Sequence, residues 1–100
     1  MRIANIIGTV TLSRAHPSLR GATWKMAVPL GWDQLVDDEL ATREALVLYD
    51  ELGAGQGSRV MLSEGREASQ PFHPEVKPID AYNSGILDDV YLGPSVGQKK

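Results

Sequence analysis

The chain has 100 residues, 42% of them hydrophobic, with 13 acidic against 10 basic side chains and no cysteine. That length holds one domain with a small core, so association between copies is a natural further source of stability. A net charge of −3 with both signs scattered along the chain argues against sequence-independent nucleic-acid binding and against an anionic membrane surface, since both need a basic face. Without cysteine there is no disulfide framework and no thiolate metal site, a composition that fits a reducing cytosol. The opening residues 1–8 are too short and too broken by polar residues for a signal peptide, and no run approaches the length of a membrane span.

Residues 2–13 alternate with period two and read as a first strand, with Ala4, Ile6, Val10 and Leu12 on the core face. Ile3 and Ile7 fall on the opposite face with Asn5, Thr9, Thr11 and Ser13. Gly8 inside the run predicts a bulge or a barrel corner. A connection from Arg14 to Gly21 follows, punctuated by Pro17. Residues 22–30 read as a second strand with Ala22, Trp24, Met26, Val28 and Leu30 inward and Thr23, Lys25 and Ala27 outward. Residues 31–44 form a polar excursion in which Asp37, Asp38 and Glu39 cluster. They lack calcium-loop spacing and its glycine, which leaves a solvated loop.

Residues 45–50 read as a third strand, with Leu46 and Leu48 opposed to Ala45, Val47 and Tyr49, and residues 58–63 as a fourth. Between them lie glycines at 53, 55 and 57. This spacing is not the dinucleotide fingerprint, no Lys-Ser/Thr follows, and a strand rather than a helix comes next, so a phosphate cradle is disfavoured. A tight strand connection or a loop packed against its own copies at a symmetry axis both remain open. If Gly55 has a positive φ, a valine there is barred by its Cβ. Residues 63–70 predict one or two helical turns capped by Ser63. Pro71, Pro74 and Pro78 keep the next stretch irregular, and residues 79–92 hold a last strand, clearest over 85–92. The tail from residue 93 to 100 is polar and reads as flexible.

Five short strands, one small helix and glycine-marked bends predict a mainly β protein, a small five-stranded OB-like barrel. No nucleophile–base pair stands out. His16 and His73 are far apart in sequence with no acidic partners at ligand spacing, so the residues point to no catalytic site, no metal and no cofactor. On these grounds alone an OB-like module for oligonucleotides or oligosaccharides remains possible, although six aromatic residues make a poor stacking platform.

Three blocks in order carry a resemblance. Met1 to Val10 followed by His16-Pro17-Ser18-Leu19-Arg20-Gly21, then Gly53-Ala54-Gly55-Gln56-Gly57, then Pro78-Ile79-Asp80-Ala81 with Gly85-Ile86-Leu87-Asp88 together resemble the EutN/CcmL family of bacterial microcompartment vertex proteins over residues 1–92. Ser58-Arg59 replaces the acidic residue many members carry after the loop, and Tyr82-Asn83-Ser84 is more polar than the usual small apolar run. The resemblance implies a structural, non-enzymatic shell protein of a cytoplasmic microcompartment. It implies a homopentamer that caps the shell's vertices beside hexameric facet proteins. It further implies that Gly53, Ala54, Gly55, Gln56 and Gly57 ring a narrow pore on the five-fold axis. Ile3, Ile7, His16, Pro17, Ser18 and Leu19 are then candidates for the subunit interface.

Overall fold

The computed structural model describes residues 1–31, 35 and 44–93. The acidic cluster Asp37, Asp38 and Glu39 and the tail from residue 94 lie outside the described residues. In chain order the elements are β1 (Arg2–Val10), a 3-10 turn (Pro17–Leu19), β2 (Trp24–Pro29), β3 (Leu46–Tyr49), β4 (Arg59–Glu64), the helix α1 (Arg66–Ser69), a second 3-10 turn (Gln70–Phe72) and β5 (Ala81–Ile86). The strands close into a barrel in the order β1-β2-β3-β5-β4. Four of the five pairings are antiparallel, and β3 meets β5 in parallel at Tyr49 and Tyr82. The expected five-stranded barrel is therefore the observed fold, with the short helix α1 beside it among the described residues.

The interior is filled by Ala4, Ile6, Ala27, Leu48, Ala54, Val60, Leu62 and Ala81, with Leu46 packed against them. Ile6, Leu48, Val60 and Leu62 are essentially inaccessible, and each such side chain contributes about 1.5–3 kcal/mol by leaving water. Four interior positions are alanines, because a barrel of so few strands leaves a narrow lumen.

Val28 and Leu30 are buried as expected, but that narrowness overturns the expected facing of Trp24, Met26 and Ala27. Ala27 pairs with Ile6 on one side and Leu46 on the other, which turns it inward and sends Trp24 and Met26 to the outer face. The β1 reading fails for a related reason. The register slips between Ile6 and Gly8, so the bulge foreseen at Gly8 is present, and the extra residue there inverts the alternation beyond it. Val10 consequently pairs with Trp24, and Leu12 is 41% exposed.

Trp24 finds its packing outside the barrel. Its ring meets Tyr49 edge-on at 5.2 Å, and Phe72, delivered by the second 3-10 turn, sits 5.1 Å from Tyr49 and 5.6 Å from Tyr82. Lys77 lies over Phe72 at 5.0 Å, and its ammonium donates to the Ser18 carbonyl. The Pro-rich segment is thereby clasped onto the barrel.

Two further expectations change. Ser63 does not cap a helix. It belongs to β4, its hydroxyl lies 2.5 Å from that of Ser84, and α1 starts after Gly65 with no side-chain cap. The last strand runs over Ala81–Ile86, four residues earlier at its start than the clearest apolar run at 85–92. Polar Asn83 and Ser84 are admitted to it because each finds a hydrogen-bond partner across the sheet.

Candidate functional site: the glycine loop

β3 ends at Tyr49 and β4 begins at Arg59, so the connection is a loop at one end of the barrel. Its shape follows from one side chain that sequence reasoning passed over. Asp50, 3% exposed, accepts the Leu52 N–H at 3.0 Å and the Ala54 N–H at 2.8 Å. The Asn83 side-chain amide donates to the same carboxylate at 2.9 Å. The Gly85 N–H in turn donates to the Asn83 side-chain oxygen Oδ1 at 3.0 Å. A buried carboxylate is tolerated when donors surround it. An Asp immediately ahead of a Gly-rich turn, bonding the amide two residues on, was the available signal.

The far side of the loop is fixed by backbone. The Gly57 N–H donates to the Ile6 carbonyl and the Ile6 N–H to the Ser58 carbonyl, both at 2.8 Å, while the Ser58 N–H returns to Gly55 at 3.0 Å. The loop thus docks on β1 at its bulge. Gly53 and Gly57 have φ of 77° and 90°, the left-handed region where a Cβ is strained. Gly55 does not, and a Cβ added there meets nothing within 4 Å. The conditional argument that a valine at Gly55 is barred by its own backbone therefore falls away.

Of the expected loop residues, Ala54 is 1% exposed and its methyl belongs to the barrel core. Gly53, Gly55, Gln56 and Gly57 are exposed around it. Glu51 and Leu52 form the shoulder, Leu52 being 50% exposed. The Tyr82 hydroxyl donates to Glu51 at 2.8 Å. Burial, followed by that bond to Glu51, raises the phenol from its ordinary value to about 12.

The candidate interface residues fall into two groups. Ile3 is half-buried and pairs with Met61, and Ile7 is 39% exposed at the bulge. His16 and Pro17 are exposed, and the His16 ring accepts the Ser18 N–H at 3.1 Å to start the 3-10 turn. Leu19 is buried within its own subunit and anchors that turn. Among the described residues no group of His, Cys, Asp or Glu could hold a metal ion, and no helix is long and apolar enough to cross a membrane.

Comparison with known proteins completes the picture. The family profile described as ethanolamine utilisation protein EutN/carboxysome matches residues 1–88. The carboxysome shell vertex protein CcmL of Nostoc sp. is 35% identical over 92% of this chain and 87% of its own length. The microcompartment shell vertex protein EutN of Salmonella typhimurium is 29% identical over 96% of this chain and 92% of its own. Among solved structures, Gloeobacter violaceus CcmL superposes with a TM-score of 0.78 at 29% identity, covering 92% of this chain and 90% of that one. A pentameric microcompartment shell protein from Rhodospirillum rubrum gives a TM-score of 0.75 at 28% identity, covering 93% and 99%. The family profile, the sequence relatives and the barrel fold agree, and the chain belongs to the EutN/CcmL family.

Proposed function

We propose that this chain is a structural subunit of a bacterial microcompartment shell, forming a ring of five that closes the shell's vertices. The observation that carries this reading is a family match over residues 1–88, with full-length relatives whose names are those of shell vertex proteins. Solved neighbours described as pentameric shell proteins support the ring. A closed ring needs a head-to-tail interface with two unlike patches. Ile3 and Ile7 with the turn His16, Pro17 and Ser18 supply one. The partners are copies of the same chain and, at the vertex rim, hexameric facet proteins.

In this ring the loop of Gly53, Ala54, Gly55, Gln56 and Gly57 meets its copies around the axis. Ala54 holds it to the barrel from within, and the exposed glycines allow backbones to converge without side chains between them. The constriction is then built of backbone and small atoms, with Gln56 the only long side chain. The protein performs no catalysis and takes no metal or cofactor. The alternative, an OB-like oligonucleotide- or oligosaccharide-binding module, is set aside because the relatives are shell proteins and the net charge is −3. Native mass spectrometry tests the assembly. A closed pentamer is expected at micromolar concentration, and a spectrum dominated by monomer would defeat the reading.

A further inference from the structure

Asp50 and Asn83 are buried polar side chains, at 3% and 0% exposure. What they do is face the glycine loop. One Asp50 oxygen takes the Leu52 N–H together with the Asn83 amide, and the other takes the Ala54 N–H. Asn83 is itself set by the Gly85 N–H on β5. Across a trans peptide the N–H and C=O point in opposite directions, so drawing the Leu52 and Ala54 N–H groups inward turns the carbonyls of Glu51 and Gly53 away from Asp50.

We propose that Asp50 and Asn83 are positioning residues for the glycine loop. The carboxylate, held from behind by the amide of β5, dictates the curve of residues 51–55 and which end of each peptide dipole the loop presents. Where that loop meets its copies at the five-fold axis, the pair sets the opening's width and polarity. This last consequence rests on the vertex reading, whereas the positioning itself does not.

The test is amide hydrogen exchange resolved to single residues, read on the intact assembly with native mass spectrometry alongside. In the parent, Leu52 and Ala54 are expected to exchange about a hundredfold more slowly than in an unstructured chain. Asp50→Asn keeps the shape and exchanges one acceptor for a donor. Its remaining oxygen serves the side with two donors, so Ala54 loses about tenfold in protection while Leu48 and Leu62 in the strands stay as they were. The double exchange Asp50→Asn with Asn83→Asp rebuilds the bond between the two side chains with donor and acceptor reversed. It restores Ala54 and exposes Leu52 instead, because the new amide group now faces the Leu52 N–H. Full protection of both amides in either variant would overturn the proposal. So would unprotected Leu52 and Ala54 in the parent, which decides the matter even if the variants fail to fold. A monomeric parent with the expected exchange pattern would defeat the ring and leave the positioning intact.

Discussion

Two connections in this barrel solve the same problem with opposite chemistry. The stretch from Asp50 to Ser58 is rich in glycine, and the stretch from Gln70 to Asp80 is rich in proline. Glycine leaves the chain free and keeps every N–H, so the first loop is shaped through its amides by Asp50 and by the backbone of β1. Proline removes donors, so the second segment is held by side chains, with Phe72 among the outer rings and Lys77 reaching the Ser18 carbonyl. A loop fixed through its backbone keeps its outer surface bare for close approach. One fixed through its side chains spends them on its own subunit.

The contrast breaks most sharply at Phe72. Phe72→Ala removes a ring packed on Tyr49 and Tyr82. Because Phe72 is only half-buried, the expected cost is about 2–3 kcal/mol, somewhat below that of a fully buried phenylalanine. A urea midpoint unchanged from the parent would show that the Pro-rich clasp contributes nothing to the barrel.

Next in size are the glycines, which separate folding from assembly. Gly53→Ala forces a Cβ into a φ of 77° and is expected to cost about 1 kcal/mol. Gly55→Ala meets neither a positive φ nor a neighbour and should leave the subunit unchanged or stabilise it by about 0.5 kcal/mol through the unfolded chain. Gly55→Val should then fold normally yet form fewer pentamers, since five branched side chains would crowd one axis. Pentamers of Gly55→Val as heat-stable as the parent's would remove this loop from the axis.

These outcomes bear on what the sequence made legible. The glycine loop and the bulge at Gly8 were visible because glycine announces unusual backbone directly. The facing of β2 was not. Both of its faces carry apolar residues, and only the narrow lumen decides that Ala27 goes in and Trp24 goes out against Tyr49. β5 lies inside the expected 79–92 stretch, but its start was hard to see because its inward Asn83 looks like a loop residue until Asp50 is known to face it. Pairings between residues 33 apart are set by closure of the barrel, and no local pattern encodes them. The subunit contacts proposed for Ile3, Ile7 and the 16–18 turn depend on a neighbour's surface, which no pattern within one chain encodes.

A smaller effect is expected at Lys77, whose ammonium lies over the Phe72 ring and bonds the Ser18 carbonyl. Lys77→Met keeps the aliphatic stem and loses both polar contacts, at about 1 kcal/mol. An equal loss in Glu75→Gln would instead assign the effect to the Lys77–Glu75 pair at 3.4 Å, where Glu75 is 61% exposed. Such exposed pairs contribute little, so Glu75→Gln should be nearly silent.

The smallest effect lies where the two regions touch. Tyr82 places its ring with Phe72 and its hydroxyl on Glu51, at the shoulder of the glycine loop. Tyr82→Phe keeps the ring and should cost about 0.5–1 kcal/mol at neutral pH. The folded phenol is raised to about 12 from an ordinary value of 10, so below pH 10 it is neutral in both states and its contribution is complete. As pH rises from 10 towards 12 the unfolded chain sheds this proton while the folded chain keeps it, and the folded state loses ground. Tyr82→Phe has no such proton to shed. The stability gap between parent and variant, read from urea midpoints at pH 8 and pH 11, should therefore shrink at the higher pH. Other tyrosines and the lysines titrate in the same range and cancel in that difference. A gap that stays constant would mean that the phenol is neither buried nor bonded to Glu51 in the folded chain, and that Tyr82 does not join the Pro-rich clasp to the glycine loop.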